Sequence, residues 1–254
     1  MRRVVILAGA ALISMSLITG CQGKSKERYT LRDTGIEQLN SEDYEGAIDS
    51  FGQALELSKG MVDDFELDVL KYRAEAEYKA GDYEAAAHSY GIMIQVDGEK
   101  PEYLNYRCLS LILAGQTDQA LEDFTKSYAM DKQAPGSEEA LLALGSALEE
   151  QGRHDDAIAL YNSAVADGAN NSELYNRMGL CMIDNEDYDQ AISYFEKGIS
   201  AGEGDALAEL YFNQAVAYEY KGEFSKALEL FEKYNSTYGP NEQADREIAF
   251  LKTR

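Results

Sequence analysis

Apolar and polar positions recur along most of the chain in a unit of about 34 residues. An alanine is followed four residues later by an aromatic residue in six places: Ala47/Phe51, Ala86/Tyr90, Ala120/Phe124, Ala157/Tyr161, Ala191/Phe195 and Ala227/Phe231. Twelve residues before each alanine stands a small residue: Gly35, Ala74, Cys108, Gly145, Gly179 and Ala215. A polar stretch, with glycine in four of the six places, separates the two positions. Because residues four apart share one face of a helix, the pattern predicts two helices joined by a tight turn.

Each unit is therefore predicted to be a helical hairpin that cannot bury its apolar face alone, so that stacking of neighbours supplies the core. The six units are placed at 28–61, 67–100, 101–134, 138–171, 172–205 and 208–241. The extra residues of the longer spacings are placed between units, at 62–66, 135–137 and 206–207. The last segment, 242–254, is predicted to be a capping helix with Ala244, Ile248 and Leu251 on one face.

The units resemble the tetratricopeptide repeat. The resemblance is clearest at 43–48 (Asp-Tyr-Glu-Gly-Ala-Ile) and 186–192 (Glu-Asp-Tyr-Asp-Gln-Ala-Ile), and it covers 28–241. It implies an all-α, right-handed superhelical solenoid of six tetratricopeptide helical hairpins plus a C-terminal capping helix. The sequence departs from the family pattern in two respects. The closing proline is missing from every unit, with Pro240 one residue late, and the last small position holds the bulky Met93 and Tyr234.

The N-terminus predicts export. Two arginines precede an uncharged, apolar run over 4–20, which is the pattern of a signal peptide. The run ends in Leu-Ile-Thr-Gly-Cys at 17–21, which resembles the lipobox of bacterial lipoproteins. The resemblance implies a signal peptide at 1–20, cleavage before Cys21 and acylation of its thiol. An uncleaved anchor or an ordinary signal with a chance cysteine is the alternative.

The segment 21–27 is expected to be the lipidated cysteine and a tether. Lys24, Lys26 and Arg28 either attract anionic headgroups or belong to a solvated linker. The expected location is the bacterial cell envelope, lipid-anchored and extracytoplasmic. This means the outer surface of the cell membrane in a Gram-positive cell, or the outer membrane facing the periplasm in a Gram-negative one.

The charge excludes several classes of function. With 46 acidic against 23 basic residues the net charge is −23, and removal of Arg2 and Arg3 with the signal leaves 21 − 46 = −25. A nucleic-acid backbone requires clustered cations, so nucleic acid is not expected as a partner. Two histidines and three cysteines are too few for a zinc site or a disulfide scaffold, and no metal or cofactor is expected. The acidic side chains either form a solvated surface or favour basic partners.

The resemblance also implies a protein-interaction groove lined by the first helix of each hairpin. The candidate groove residues are Lys71, Tyr72, Tyr78, Asn105, Tyr106, Leu109, Asn176, Arg177, Leu180, Phe212, Asn213 and Tyr220. Aromatic and aliphatic side chains would anchor a peptide, and asparagine amides could bond to its backbone. For the tyrosines, packing between neighbouring first helices is the alternative. The first unit holds Arg32 and Ile36 where some relatives clamp a terminal carboxylate, so this clamp is not predicted.

Catalysis has little support in the sequence. His88 is predicted on the outward side of a second helix and His154 in a turn, while Cys108 and Cys181 are predicted to be unpaired packing residues. The function expected is therefore not an enzyme. It is a membrane-anchored scaffold that binds a protein or peptide, with envelope or pilus assembly as a narrower hypothesis based on architecture alone. A lipoprotein receptor for cell-wall glycan or a small ligand is the alternative.

Overall fold

The computed structural model describes residues 26–58, 63–202 and 206–254. The predicted signal peptide, the lipidation site Cys21 and most of the predicted tether lie outside the described residues. Within these ranges the regular structure is thirteen α-helices and no strand, which confirms the predicted all-α class. The helices are α1 (26–40), α2 (Tyr44–Leu57), α3 (Asp64–Ala80), α4 (Tyr83–Asp97), α5 (Pro101–Leu113), α6 (Thr117–Met130), α7 (Ser137–Glu150), α8 (His154–Ala166), α9 (Ser172–Asp184), α10 (Tyr188–Ala201), α11 (Ala206–Tyr220), α12 (Phe224–Tyr238) and α13 (Glu242–Leu251).

The chain divides into two compact units at the Ala140–Leu141 bond, within α7. In the first unit α3 packs on α2 and α4, and α5 packs on α4 and α6. In the second unit α9 packs on α10, and α11 on α10 and α12. The predicted cap α13 packs on α12, with Ala244 and Leu251 buried in a cluster that contains Phe231.

In three hairpins the small residue is a glycine that lies against the aromatic residue of the same hairpin. A Cβ added to Gly35 would come within 2.6 Å of the Phe51 ring, and one added to Gly179 within 2.3 Å of the Phe195 ring. At Gly145 it would come within 2.0 Å of the Tyr161 hydroxyl. These three glycines are therefore required because a ring occupies the space that a side chain would fill.

The turns within the hairpins need one residue in the left-handed conformation. Glycine supplies it in four turns, as at Gly81, where φ is +83°. In the first and fifth hairpins Glu42 and Glu186 adopt φ of +65° and +59° instead. An aspartate next in sequence, such as Asp43, accepts a hydrogen bond from the third backbone N–H of the following helix.

The surplus residues between the repeats are partly helical. Helix α3 begins at Asp64, three residues before the start expected for the second repeat, 67–100. A capping box explains this early start, since the Asp63 side chain accepts from the helix and the Glu66 side chain accepts from the Asp63 backbone N–H. Helices α7 and α11 likewise begin within the segments that had been placed between units.

Arg28 differs from its expected role as an exposed tether cation. It lies in α1 and its guanidinium donates to Glu66 Oε1 at 2.8 Å and to Ser58 Oγ at 3.2 Å. All three side chains are buried. Neither the headgroup nor the linker interpretation therefore applies to Arg28, which joins α1 to α3. None of the helices in the described ranges has the length and apolar character that a membrane span requires.

Candidate functional site

A concavity of about 550 Å³ lies between the first helices α3 and α5 of the first compact unit. Its lining is Asp68, Lys71, Tyr72, Glu75, Tyr78, Tyr90, Glu102, Tyr103, Tyr106 and Leu109. We call it the tyrosine groove. Five of the candidate groove residues, Lys71, Tyr72, Tyr78, Tyr106 and Leu109, are brought together here.

Helical periodicity places these side chains. In α3 the lining residues Asp68, Lys71, Glu75 and Tyr78 follow one another by three or four positions, so they form one stripe, and Tyr72 lies beside Lys71. In α5, Glu102, Tyr106 and Leu109 form the corresponding stripe. Tyr90 comes from the second helix α4, and sequence reasoning assigned it only to packing as the repeat aromatic. Asp68, Glu102 and Tyr103 were also missed, although their spacing from predicted lining residues was a usable signal.

The tyrosines both pack and line the groove. The Tyr90 and Tyr106 rings are stacked with centroids 5.7 Å apart, and Tyr72 stacks on Phe51 at 5.9 Å. The Tyr78 ring meets the edge of Tyr83 at 5.5 Å. Burial is the main cause that raises the pKa of the Tyr90 hydroxyl further above its ordinary value, at which tyrosine is already uncharged at neutral pH. The walls of the groove are therefore neutral aromatic surfaces held in place by ring contacts.

The charges of the groove are predominantly negative. Asp68, Glu75 and Glu102 contribute three carboxylates, and Lys71 is the only cation among the described residues that line it. Lys71 Nζ lies 3.2 Å from Glu102 Oε1 and 5.4 Å from the centroid of the Tyr103 ring. Glu75 pairs with Lys79 at 2.9 Å, and both side chains are about half exposed.

Asn105 lies beside the groove but does not line it. Its side chain is fully buried, and Nδ2 donates to the backbone oxygen of Pro135 at 2.9 Å. Its Oδ1 has no hydrogen-bond partner among the residues that the structure describes. This amide holds the segment before α7 against α5.

Two candidates of the second compact unit, Asn176 and Asn213, are hydrogen-bonded to each other. Asn176 is 4% exposed, its Nδ2 donates to Glu209 Oε1 at 2.9 Å, and its Oδ1 accepts from Asn213 Nδ2 at 2.9 Å. Arg177 lies 2.8 Å from Glu173 and 3.5 Å from Glu149. We call the chain formed by Glu209, Asn176 and Asn213 the amide ladder. It joins α9 to α11 and uses the amides that had been expected to contact a peptide.

The remaining candidates are separate from the amide ladder. Leu180 is half-buried. Phe212 packs edge-on against Phe231 and Tyr234 with centroids 5.3 and 5.6 Å away, and it lines a hollow of about 310 Å³. Tyr220 is 60% exposed, with its ring 5.9 Å from that of Tyr188.

The residues weighed for catalysis are in structural or surface positions. Cys108 and Cys181 are buried and unpaired, and burial is the main cause that raises both thiol pKa values, that of Cys181 to about 12. His88 is exposed on α4, as predicted, and His154 Nδ1 lies 3.8 Å from Asp184. Across the described parts of the chain, no three His, Cys, Asp or Glu side chains are grouped so that they could hold a metal ion.

Comparison with known proteins gives one repeat family. A family model described as tetratricopeptide repeat matches residues 32–95 and 109–172, and a second with the same description matches 171–234. These models indicate no catalytic family.

Among curated proteins, the chain is similar to small glutamine-rich tetratricopeptide repeat-containing protein 2 of Mycosarcoma maydis. The two are 31% identical over 96 residues, which is 38% of this chain and 26% of that protein. The chain therefore spans about a quarter of the relative's length.

Among solved structures, it is similar to MamA, at 25% identity and a TM-score of 0.57, over 66% of this chain and 90% of the other. It is also similar to the C-terminal part of a repeat-containing protein of Cytophaga hutchinsonii. That structure is 18% identical with a TM-score of 0.70, covers 86% of each chain and shares the fold alone.

Proposed function

Since the chain belongs to the tetratricopeptide-repeat family, we propose that it is a scaffold that binds a protein or peptide partner in the tyrosine groove. The observation that carries the proposal is the groove itself, which gathers five tyrosines and three carboxylates between α3 and α5. Its volume of about 550 Å³ is in the range of protein ligand sites. Aromatic side chains are also the residues that most often dominate binding energy at interfaces.

The groove suits an extended chain segment. Tyrosine rings offer flat apolar area, and their hydroxyl groups can bond to a peptide backbone. The net charge of −23 favours basic partners by steering their approach, and salt should weaken this effect. We therefore propose a partner with a basic segment.

The proposal extends to location. The apolar run and the Leu-Ile-Thr-Gly-Cys sequence at 17–21 support export and acylation at Cys21, with the scaffold held at the outer face of a bacterial membrane. A role in envelope or pilus assembly is the narrower form of this hypothesis. A receptor for cell-wall glycan is the second candidate, because aromatic rings beside carboxylates also suit sugars.

Site-specific photo-crosslinking tests the groove in cells. A benzophenone amino acid at position 109, in place of Leu109, would lie in the groove. The same amino acid in place of His88 would lie on α4, at a position that does not line the groove. We expect a polypeptide adduct at position 109 and none at position 88. Adducts that contain cell-wall fragments in place of a polypeptide would favour the glycan receptor. Equal polypeptide adducts at both positions would place the binding site elsewhere.

The membrane anchor has its own test. We expect Cys21→Ser to abolish incorporation of a labelled fatty acid and to leave the chain at its unprocessed length, as followed by gel mobility and membrane fractionation. Unchanged processing and membrane attachment in this variant would refute the anchor while leaving the groove proposal untouched.

A further inference from the structure

The tyrosine groove combines two features that bind cations. Aromatic faces attract ammonium and guanidinium groups through the ring quadrupole. Carboxylates at the same surface add a direct attraction that is stronger at a partly buried site than in water. Five tyrosines and three carboxylates line one concavity, with one lysine among them.

The chain already places ammonium groups at this surface. Lys71 Nζ lies 3.2 Å from Glu102 Oε1 and 5.4 Å from the Tyr103 ring centroid. Lys100 Nζ lies 5.3 Å from the centroid of the same ring. One wall of the groove, formed by Glu102 and Tyr103, thus shows how an amine is held between a carboxylate and a tyrosine face.

Another part of the groove wall offers the same chemistry. Here Glu75 lies among the groove residues Tyr78, Tyr90 and Tyr106. Its ion pair with Lys79 is an exposed pair within one helix, a kind that is usually worth little. The Tyr90 and Tyr106 hydroxyl pKa values are raised mainly by burial, with a contribution from Glu75 and Glu102, so the negative field of both carboxylates reaches these rings.

We propose that the wall formed by Glu75, Tyr78, Tyr90 and Tyr106 binds the cationic side chain of a lysine in the partner. The inference rests on the proposed function, since the lysine belongs to the bound segment. Glu75 supplies the counter-charge and the rings cover the apolar stem of the side chain. This wall is not a clamp for a terminal carboxylate, because its net charge is negative, whereas such a clamp requires positive charge.

The test compares two peptides that differ in one charge. The probes are acetyl-Gly-Ala-Lys-Ala-Gly-amide and the same peptide with norleucine, titrated into the 254-residue chain with isotope-labelled tyrosine rings and followed by NMR. We expect the lysine peptide to bind about two- to thirty-fold more tightly than the norleucine peptide, and to shift the ring signals of Tyr78 and Tyr106.

Substitutions test whether the wall causes the difference in affinity between the two peptides. Glu75→Gln should remove most of the preference for lysine, whereas the matched Glu122→Gln, on the exposed face of α6 outside the groove, should leave it unchanged. Tyr106→Leu should reduce it and Tyr106→Phe should retain it, because the aromatic face is kept. The phenylalanine variant also separates a loss of binding from a loss of folding.

The outcomes separate this inference from the function on which it rests. Equal binding of both peptides, or a lysine preference that survives Glu75→Gln, would overturn the inference and leave peptide binding in place. Ring shifts caused by N-acetylglucosamine tetramer, with none from either peptide, would overturn both and favour the glycan receptor. Absence of any lysine-dependent shift would overturn the inference as well.

Discussion

Lys71 of α3 and Asn176 of α9 hold the same position in the repeat, three residues before the small residue, yet they have opposite environments. Lys71 has an exposed side chain at the rim of the tyrosine groove. Asn176 is 4% exposed and occupies the centre of the amide ladder. At the next position of the repeat, Tyr72 and Tyr106 line the groove, whereas Arg177 pairs with Glu149 and Glu173.

The comparison shows how one backbone produces an open face and a closed one. Where the first helices carry tyrosines and carboxylates, an exposed pair, Lys71 with Glu102, joins them, and the rings line a concavity. Where they carry amides and an arginine, the side chains hydrogen-bond to the neighbouring helix and join the two. Binding capacity therefore depends on the positions that the repeat pattern leaves free.

The largest effect is expected from removing the centre of the amide ladder. Asn176→Ala leaves Asn213 without its acceptor and Glu209 without its donor, so the free energy of unfolding should fall by about 2 kcal/mol. The matched Lys71→Ala should cost less than about 1 kcal/mol, because the pair it breaks is exposed. Urea unfolding measures both, and hydrogen exchange in α9 and α11 locates the loss. Equal losses in the two variants would contradict the contrast between the faces.

A second experiment places a cation in the open face. Tyr106→Arg puts a guanidinium near Glu75 and Glu102, where it should compete with a lysine ligand and weaken the lysine peptide about tenfold. Arg177→Tyr is the counterpart at the same repeat position in the other unit, and it should leave the affinity unchanged. Thermal unfolding of both variants checks that they are folded. If Arg177→Tyr weakened binding as much, the site would not be confined to the groove.

Substitutions in the turns test whether the backbone is equally strained at equivalent positions of the two compact units. Glu42 in the first unit and Glu186 in the second both have positive φ, a conformation that glycine adopts without strain. Glu42→Gly and Glu186→Gly should each raise the free energy of unfolding by about 0.5–1 kcal/mol. Both side chains are exposed, so little packing is lost. Stabilisation of only one variant would show that the equivalent turns are strained differently.

The smallest effect is on pH dependence, where one carboxylate in each compact unit should contribute in the opposite direction to the other. Burial and the neighbouring Glu247 raise the pKa of Glu219 in α11 above its ordinary value of 4.5. The folded state then binds more protons than the unfolded state, so this group destabilises the fold as the pH rises through its folded pKa. In the first unit, hydrogen bonds from Lys100 and Tyr103 lower the pKa of Asp97, which therefore loses its stabilising contribution as the pH falls through that lowered pKa.

The variant Glu219→Gln tests whether Glu219 destabilises the fold as the pH rises. Since Glu219 is only partly buried and solvent screens its charge, the gain at pH 7 should be only about 0.3 kcal/mol, and it should vanish near pH 4. Urea unfolding of the variant and the parent chain at several pH values measures the difference. A gain that stayed constant with pH would rule out the raised pKa of Glu219 as its cause.

Much of the fold follows from a few residues of each repeat. Gly145 and Tyr161 illustrate why, since they are sixteen residues apart and meet within one hairpin. Interactions of this local kind repeat with the sequence and can be read from it. The positions of Tyr72, Tyr78 and Tyr106 on the faces of α3 and α5 that line the tyrosine groove were predictable because they too repeat with the sequence.

The candidate site was predictable only in part. Asn105 and Asn176 were expected to face a peptide, but the first donates to Pro135, thirty residues away, and the second to Glu209, thirty-three residues away. Tyr90 was assigned to packing alone, yet it also lines the groove, where its ring stacks on that of Tyr106 in the next repeat. A single repeat does not reveal such contacts, since each of these side chains finds its partner outside its own repeat.

The amino-acid pattern thus fixed the hairpins, their number and the face that each first helix presents, because helical periodicity and hairpin packing act within about 34 residues. Which of those faces stays open depended on three-dimensional packing. Open and closed faces differ in whether the polar pair that joins neighbouring first helices is exposed, as for Lys71 and Glu102, or partly buried, as for Asn176 and Glu209. That depends on distances between repeats that the pattern does not specify.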